Sequence, residues 1–263
     1  MSSIRAALII AHFSKNGEVR NDTIEALHVL KNYFEKIIFV STNLNPEESL
    51  KIPPYVDFIV RENIGYDFYS YREGINLLFQ EGKSWQITLM NTSFIIFDPE
   101  KLYKKYIINE LKNKLFDFYG LSKSHEKSTH IQSYLFTFSH TLVESEIFIV
   151  WWNRMEPLNI RDEVINKYEI GLSQYLTEAG INLIAAVECD NKLIAWLKGT
   201  RHIENPTHAK YQKIFNQYGI CKIELLRDNP FDLKLQPFLE QINRNKKYQK
   251  IFQDYLQSKE INN

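Results

Sequence analysis

The sequence predicts an α/β fold with a mostly parallel central sheet flanked by helices. Three features predict it. Apolar runs recur at residues 6–10, 37–40 and 58–60, with a fourth strand at 87–90, as strands buried on both faces require. Stretches with the apolar spacing of helices separate these runs. Each run also breaks off into polar or turn-forming residues at its C-terminal end, which is where open α/β sheets bind ligands. Strand and helix in alternation imply parallel neighbours joined by right-handed crossovers.

The first strand ends in Ala11-His12-Phe13-Ser14. Asp22-Thr23-Ile24-Glu25 has the form of a capping box, and Ile24, Leu27, Leu30 and Phe34 make one helical stripe. The second strand ends in Ser41-Thr42-Asn43, and Pro53-Pro54 closes a loop before the third. That third strand runs into Arg61-Glu62-Asn63-Ile64-Gly65-Tyr66-Asp67 and then a helix carrying Ile75, Leu78 and Phe79. Gly65 permits positive φ or the close approach of a ligand. Asn63 and Asp67 add hydrogen-bonding side chains that suit a turn. The fourth strand ends in Asn91-Thr92-Ser93.

Asp98-Pro99 starts the next helix with a side-chain cap and a proline at the first position. A short aromatic strand is expected at residues 116–120, a polar loop at 121–130 and a strand at 134–138. An apolar helix at 142–152 follows, then a helix at 162–180 closed by glycine and a late strand at 183–187. From Phe231 onward, Leu235, Phe238, Ile242, Tyr248, Ile251, Phe252 and Tyr255 predict helices ending in a lysine-rich tail. The expected division is a main domain over residues 1–230 and a helical C-terminal extension over 231–263 packed on it.

Charge is balanced, with 32 basic and 32 acidic residues, so no global field draws the chain to nucleic acid. No apolar run is long enough to span a bilayer. The opening MSSIRAALII reads as a first strand rather than a signal peptide. The 2 cysteines have no metal-ligand spacing, so a cytoplasmic location is expected. No strand is followed by G-x-G-x-x-G or G-x-x-x-x-G-K-[ST], which speaks against a dinucleotide dehydrogenase or a P-loop ATPase. The strand ends His12/Ser14, Ser41/Asn43, Asn63/Asp67 and Asn91/Ser93 should still gather along one edge, as in a nucleotide-binding crevice.

Seven short motifs stand in order along the chain. R-E-N-x-G-x-D-F covers residues 61–68, N-x-S covers 91–93 and H-x-Q-S-Y covers 130–134. Y-E-I-x-L-S at 168–173, A-G at 179–180, N-P-T-H at 205–208 and L-L-R-D-N-P at 225–230 follow. The series resembles the rhamnan synthesis F family of bacterial polysaccharide assembly, over roughly residues 5–230.

The resemblance implies a GT-A-like glycosyltransferase, with a Rossmann-like nucleotide-binding half and an acceptor-binding half. It implies a UDP-, GDP- or dTDP-linked nucleotide-sugar donor. The acceptor would be lipid-linked or a growing rhamnan, O-antigen or capsule polysaccharide. His12, Ser41, Asn43, Arg61, Asn63, Gly65, Asp67, Arg72, Asn91 and Ser93 then fall on the donor side. His130, Gln132, Ser133 and Arg227 fall on the sugar or acceptor side. Glu169 takes the place of the base of an inverting transfer, which must lie opposite the leaving diphosphate. His208 is a weak candidate metal ligand.

Such enzymes usually end the fourth strand in Asp-x-Asp, which holds a Mn or Mg ion on the diphosphate. This sequence has no D-x-D, and where relatives read N-D-S it has Thr92. Amides and hydroxyls are poor ligands for hard cations. Arg61, Arg72 and Lys222 are the basic groups available instead. The competing expectation is a catalytically inactive GT-A-like domain that binds glycan or a partner transferase. A nucleotidyltransferase is a weaker third, because the glycine-rich, lysine-containing N-terminal loop is absent. Partner transferases and a peripheral contact of Lys246-Lys247 with the inner membrane face complete the expectations, the plainer account of these lysines being a solvated helix face.

Overall fold

Strand β1 (Arg5–His12) lies inside the sheet, between β2 and β4. Its side chains alternate between two cores, Leu8 and Ile10 on one face and Ala7, Ile9 and Ala11 on the other. This is why the run is apolar without interruption. A computed structural model describes residues 5–111, 115–190, 196–197 and 202–260; the outermost residues of the expected domain ranges, 1–4 and 261–263, lie outside it.

Helix α1 (Asn21–Leu30), β2 (Lys36–Ser41), α2 (Pro46–Ser49), β3 (Asp57–Val60), α3 (Tyr66–Gln80) and β4 (Trp85–Asn91) follow β1. β1 pairs in parallel with β2 and β4, and β2 in parallel with β3. α1 buries Leu27 and Leu30 on one face of the sheet, and α3 buries Tyr71, Ile75 and Leu78 on the other. Gly74 lets α3 approach β1, since a Cβ there would stand 2.5 Å from Ile9 Cγ2.

The capping box is not formed. The N-cap of α1 is Arg20, without a side-chain cap bond. Asp22 turns inward, pairs with Arg20 at 2.9 Å and accepts the Ile96 backbone N–H at 2.8 Å. Phe34 lies beyond the end of α1 but packs in the same core.

After β4 come β5 (Phe94–Ile96), α4 (Pro99–Tyr103) and a π-helical stretch, Lys104–Leu111. Asp98 caps α4 through the Lys101 N–H, with Pro99 next to it, as the sequence predicts. β6 (Phe118–Ser124) starts later and runs further than expected, so it takes up the first residues of the polar loop. β7 (His130–Ile131) and β8 (Leu135–Phe138) complete an antiparallel region, with β8 joining β4 to β6.

The apolar helix at 142–152 is two helices, α5 (His140–Val143) and α6 (Glu146–Asn153). Ser145 divides them by capping α6 through the Phe148 N–H. Trp152 is core, and Trp151 packs against Tyr175 at 5.0 Å between the centroids of tilted rings, so neither is a free sugar platform. α7 (Arg161–Val164) passes through a π-helical turn, Ile165–Ile170, into α8 (Gly171–Glu178). Gly180, at φ 82°, closes it in the left-handed region. β9 (Leu183–Glu188) then pairs in parallel with β6, on the far side of the sheet from β1.

The remaining elements are α9 (Pro206–Ala209), α10 (Tyr211–Tyr218), β10 (Ile220–Lys222), α11 (Ile223–Arg227), α12 (Gln236–Arg244) and α13 (Lys246–Glu260). β10 pairs antiparallel with β5 in a separate two-stranded sheet. Phe238 and Ile242 of α12 and Ile251 and Tyr255 of α13 share a third core with Ile95, Phe97, Phe215 and Leu225. The fold is α/β, with a central sheet of parallel strands β3-β2-β1-β4 extended by β8, which runs antiparallel to both its neighbours, and then β6, which runs in the direction of β4. No described helix is long and apolar enough to cross a membrane.

Candidate functional site

Strand register decides which polar groups meet. His12 pairs with Ser41 and Ala11 with Asn91, so three parallel strands stop level. The turn after β3 adds Asn63 and Asp67. His12, Thr42, Asn63, Asp67 and Asn91–Ser93 line one cleft of about 420 Å³. Of the residues expected to converge, His12, Asn63, Asp67, Asn91 and Ser93 line this cleft, whereas Ser14, Ser41 and Asn43 do not, and the end of β2 reaches it through Thr42.

The facing wall comes from far along the chain. In the small sheet Lys222 stands opposite Phe94, and the Ile223 N–H donates to the Ser93 carbonyl at 3.0 Å. Lys222 is thereby laid against the end of β4. Its Nζ donates to Ser93 Oγ at 2.6 Å and sits 5.0 Å from the centre of the Tyr134 ring. Ser93 Oγ donates in turn to Asn91 Oδ1. Asn91 Nδ2 donates to Asp67 Oδ2 at 2.8 Å. Residues from two motifs and from β10 thus form one hydrogen-bonded chain, and each fixes the rotamer of the next.

Its two ends perturb each other. Desolvation raises the Asp67 carboxyl above its ordinary range, opposed by the Asn91 bond and the charge of Lys222. Desolvation lowers the Lys222 ammonium, opposed by Glu169, Asp67 and Glu224. Perturbation by burial together with specific charges is a mark of functional sites. Glu224 also lines the cleft. His208 Nε2 holds it at 3.3 Å, which keeps its carboxyl below the usual range.

The end of β4 does not fit a divalent cation. Asn91 Oδ1 already accepts from the Ser93 N–H and hydroxyl, and Ser93 Oγ accepts from Lys222. Among the described residues no group of three His, Cys, Asp or Glu side chains could hold a metal ion. His208, the candidate metal ligand, is buried, packs on Phe231 and props Glu224.

Several expected donor residues brace the cleft from behind. Arg61 donates to the carbonyls of Glu62, Ile64 and Tyr66 and to Ser70 Oγ, so its guanidinium is spent inside its own turn. Arg72 lies over the Tyr69 ring and donates to its hydroxyl at 2.8 Å. Neither lines the cleft, and Lys222 does. Ser41 Oγ stands 2.9 Å from His12 Nδ1, and Asn43 Nδ2 donates to the carbonyls of Ser14 and Lys15. Gly65, at φ 71°, meets the positive-φ expectation, and its N–H donates to Leu158.

His130, Gln132, Ser133 and Glu169 form a second cluster that does not line the cleft. Glu169 lies in the π-helical turn, a distortion common at functional sites. Its Oε1 accepts the Ser133 N–H at 3.1 Å and lies 3.7 Å from His130 Nε2. His130 Nδ1 is 2.8 Å from the Ser128 carbonyl. Gln132 bridges Ser122 and Asn205. The charge of Glu169 nonetheless acts on both Lys222 and Asp67. Arg227 does line the cleft, and it donates to Asp228.

Sequence reasoning missed Phe13, Arg20, Tyr66, Arg161 and Glu224 as lining residues. Phe13 and Tyr66 are large aromatics left 49% and 42% exposed at the cleft. Tyr66 also holds φ 52°, unusual for a residue with a Cβ. An aromatic just after a buried strand was a visible signal. Glu224 had none, because only the pairing of β5 with β10 brings it near.

The pattern of the family described as Rhamnan synthesis protein F matches residues 37–259. Virulence protein VirA of Vibrio anguillarum is 26% identical over 230 residues, 76% of this chain and 73% of that one. Uncharacterized protein y4gN of Sinorhizobium fredii is 23% identical over 188 residues, 70% and 48% of the two chains. Among solved structures, 4-diphosphocytidyl-2C-methyl-D-erythritolsynthase of Anaerococcus prevotii aligns at a TM-score of 0.43 with 11% identity, over 81% of this chain and 96% of that one. The family match takes in the turn after β3, the end of β4, the Glu169 cluster and β10, and the chain belongs to the rhamnan synthesis protein F family.

Proposed function

We propose that this protein is a glycosyltransferase that moves a sugar from a nucleotide-sugar donor onto a growing cell-surface polysaccharide. The observation that carries the reading is the meeting of four polar strand ends with Lys222 in one cleft. Phe13 and Tyr66 offer faces on which a nucleobase stacks, Asn63 and Thr42 offer polar contacts, and the Lys222 side meets the diphosphate. In the transfer an acceptor hydroxyl attacks the anomeric carbon. The bond from that carbon to the diphosphate oxygen breaks, and the diphosphate leaves with the electron pair. Glu169 takes the hydroxyl proton in this reading, its carboxylate oriented by the Ser133 N–H.

A second reading is a GT-A-like domain that binds glycan or a partner transferase without catalysis. It is favoured by one observation, that Glu169 does not line the cleft. A thermal-shift screen with UDP-, GDP- and dTDP-linked sugars tests the first. A donor at about 100 times its Kd stabilises the fold by about 2.7 kcal/mol. Release of nucleoside diphosphate with a lipid-linked or polysaccharide acceptor then establishes turnover. If no sugar nucleotide shifts the melting temperature, the second reading stands.

A further inference from the structure

We propose that Lys222 is a resident cation of the donor cleft, beside Arg20, Arg161 and Arg227, so that a nucleoside diphosphate binds there without a divalent metal. This rests on the nucleotide-sugar reading and adds how the negative charge of the donor is met. Lys222 Nζ lies on Ser93 Oγ, at the end of the strand where a metal-binding carboxylate pair would have to stand. The side chains present there are an amide and two hydroxyls, and the amide oxygen and the Ser93 hydroxyl already bond within the network.

Lys123 and Lys210 each sit 2.7 Å from a carboxylate. Lys222 has no carboxylate at ion-pair distance among the described residues; its hydrogen bond goes to a neutral hydroxyl. Asp67, Glu169 and Glu224 face it from three different elements, near enough to favour the charged form. They surround the ammonium without capping it. An ammonium has three donors, and Ser93 takes one.

The ammonium is held by a hydroxyl, an aromatic ring and a two-stranded sheet, so little freedom is lost when a diphosphate arrives. Lysine meets phosphate as a point charge, which suits a group that must neutralise without a fixed coordination shell.

The test measures binding of UDP, GDP and dTDP by calorimetry, in EDTA and in Mn²⁺, to the wild type, Lys222→Met and Lys222→Arg. At least one nucleotide should bind the wild type with the same Kd in both buffers. Lys222→Met should weaken it by about tenfold or more, with Lys222→Arg intermediate. Binding of the matching nucleoside, which lacks the diphosphate, should not change. Unaltered melting temperatures separate this from misfolding. If Lys222→Met does not fold, the wild-type comparison and Lys222→Arg still decide. Binding that appears only with Mn²⁺, or full affinity in folded Lys222→Met, overturns the proposal and leaves the glycosyltransferase reading intact. No binding of any of the three in either buffer overturns both.

Discussion

Lys222 Nζ lies 2.6 Å from Ser93 Oγ, across 129 residues of chain. β5 leaves the end of β4 and β10 returns antiparallel to it, so two short strands carry a remote lysine onto the motif. The same contact joins Lys222, through Ser93 and Asn91, to Asp67 on α3. A change of charge at any point in this chain acts on the whole cleft.

Thr92 is the sharpest place to make one. Its backbone is fixed, the N–H on the Ala11 carbonyl at 3.1 Å and the carbonyl on Arg20 at 2.9 Å, so Thr92→Asp alters the side chain alone. The new carboxylate competes with a diphosphate for Lys222 and repels it. Nucleoside diphosphate affinity in EDTA should fall by about tenfold. Mn²⁺ should restore it in the variant, because a hard-cation ligand is now present. Calorimetry in the two buffers reads both effects, and undiminished affinity in EDTA would count against a diphosphate at this wall.

Glu169→Gln separates chemistry from binding. The glutamine carbonyl still accepts the Ser133 N–H, so the local fold should hold. Turnover should drop by about 100-fold or more, the usual contribution of a positioned base, while the Kd for nucleoside diphosphate stays within about twofold. Initial rates of diphosphate release and a binding isotherm are the two measurements. Full turnover in the variant removes Glu169 as the base and turns attention to Asp67 and Glu224, the carboxylates that line the cleft.

The sheet was legible because buried parallel strands leave a simple mark. Ile37, Ile38, Phe39 and Val40 are all buried, in alternation between two cores. The polar strand ends were legible for the converse reason. Side-chain destinations were not. Arg61 is as charged as any phosphate ligand in the sequence, yet three nearby carbonyls had first claim on it. Asp22 had the spacing of a cap, yet a buried N–H 74 residues away took its carboxylate. The break between α5 and α6 hid inside an unbroken apolar run, because Ser145 served there as a cap. Non-local hydrogen bonds decided each case, and they leave no period in the sequence.

His12 makes the fold sensitive to acid. Burial, helped by the nearby Arg20 charge, lowers its imidazole to about 4, against an ordinary value near 6.5. Between those limits the unfolded chain binds a proton that the folded chain refuses. Stability is therefore complete above about pH 6.5 and falls as the pH drops toward 4, by about 3 kcal/mol in all. His12→Gln should lose this increment of pH sensitivity. Urea unfolding of both proteins at neutral pH and near the lower limit gives the difference. Equal losses in the two proteins would show that His12 is not the group responsible.

Lys222 predicts the opposite flank of the pH profile. Desolvation lowers its pKa from the ordinary lysine value, and Glu169, Asp67 and Glu224 only partly restore it; Arg161 lowers it further. A bound diphosphate favours the ammonium, so the complex holds its proton to higher pH than the free protein. Binding in the range between those two pKa values must take up a proton, and affinity must fall as the pH rises through it. An exposed lysine would show this only above its ordinary value near 10.4; Lys222 should show it earlier. Calorimetry in buffers of different ionisation enthalpy measures the proton uptake directly. Lys222→Arg should bind with a flat profile over the same range, since a guanidinium stays charged. A wild-type profile as flat as that of the arginine variant would mean that Lys222 does not meet the diphosphate.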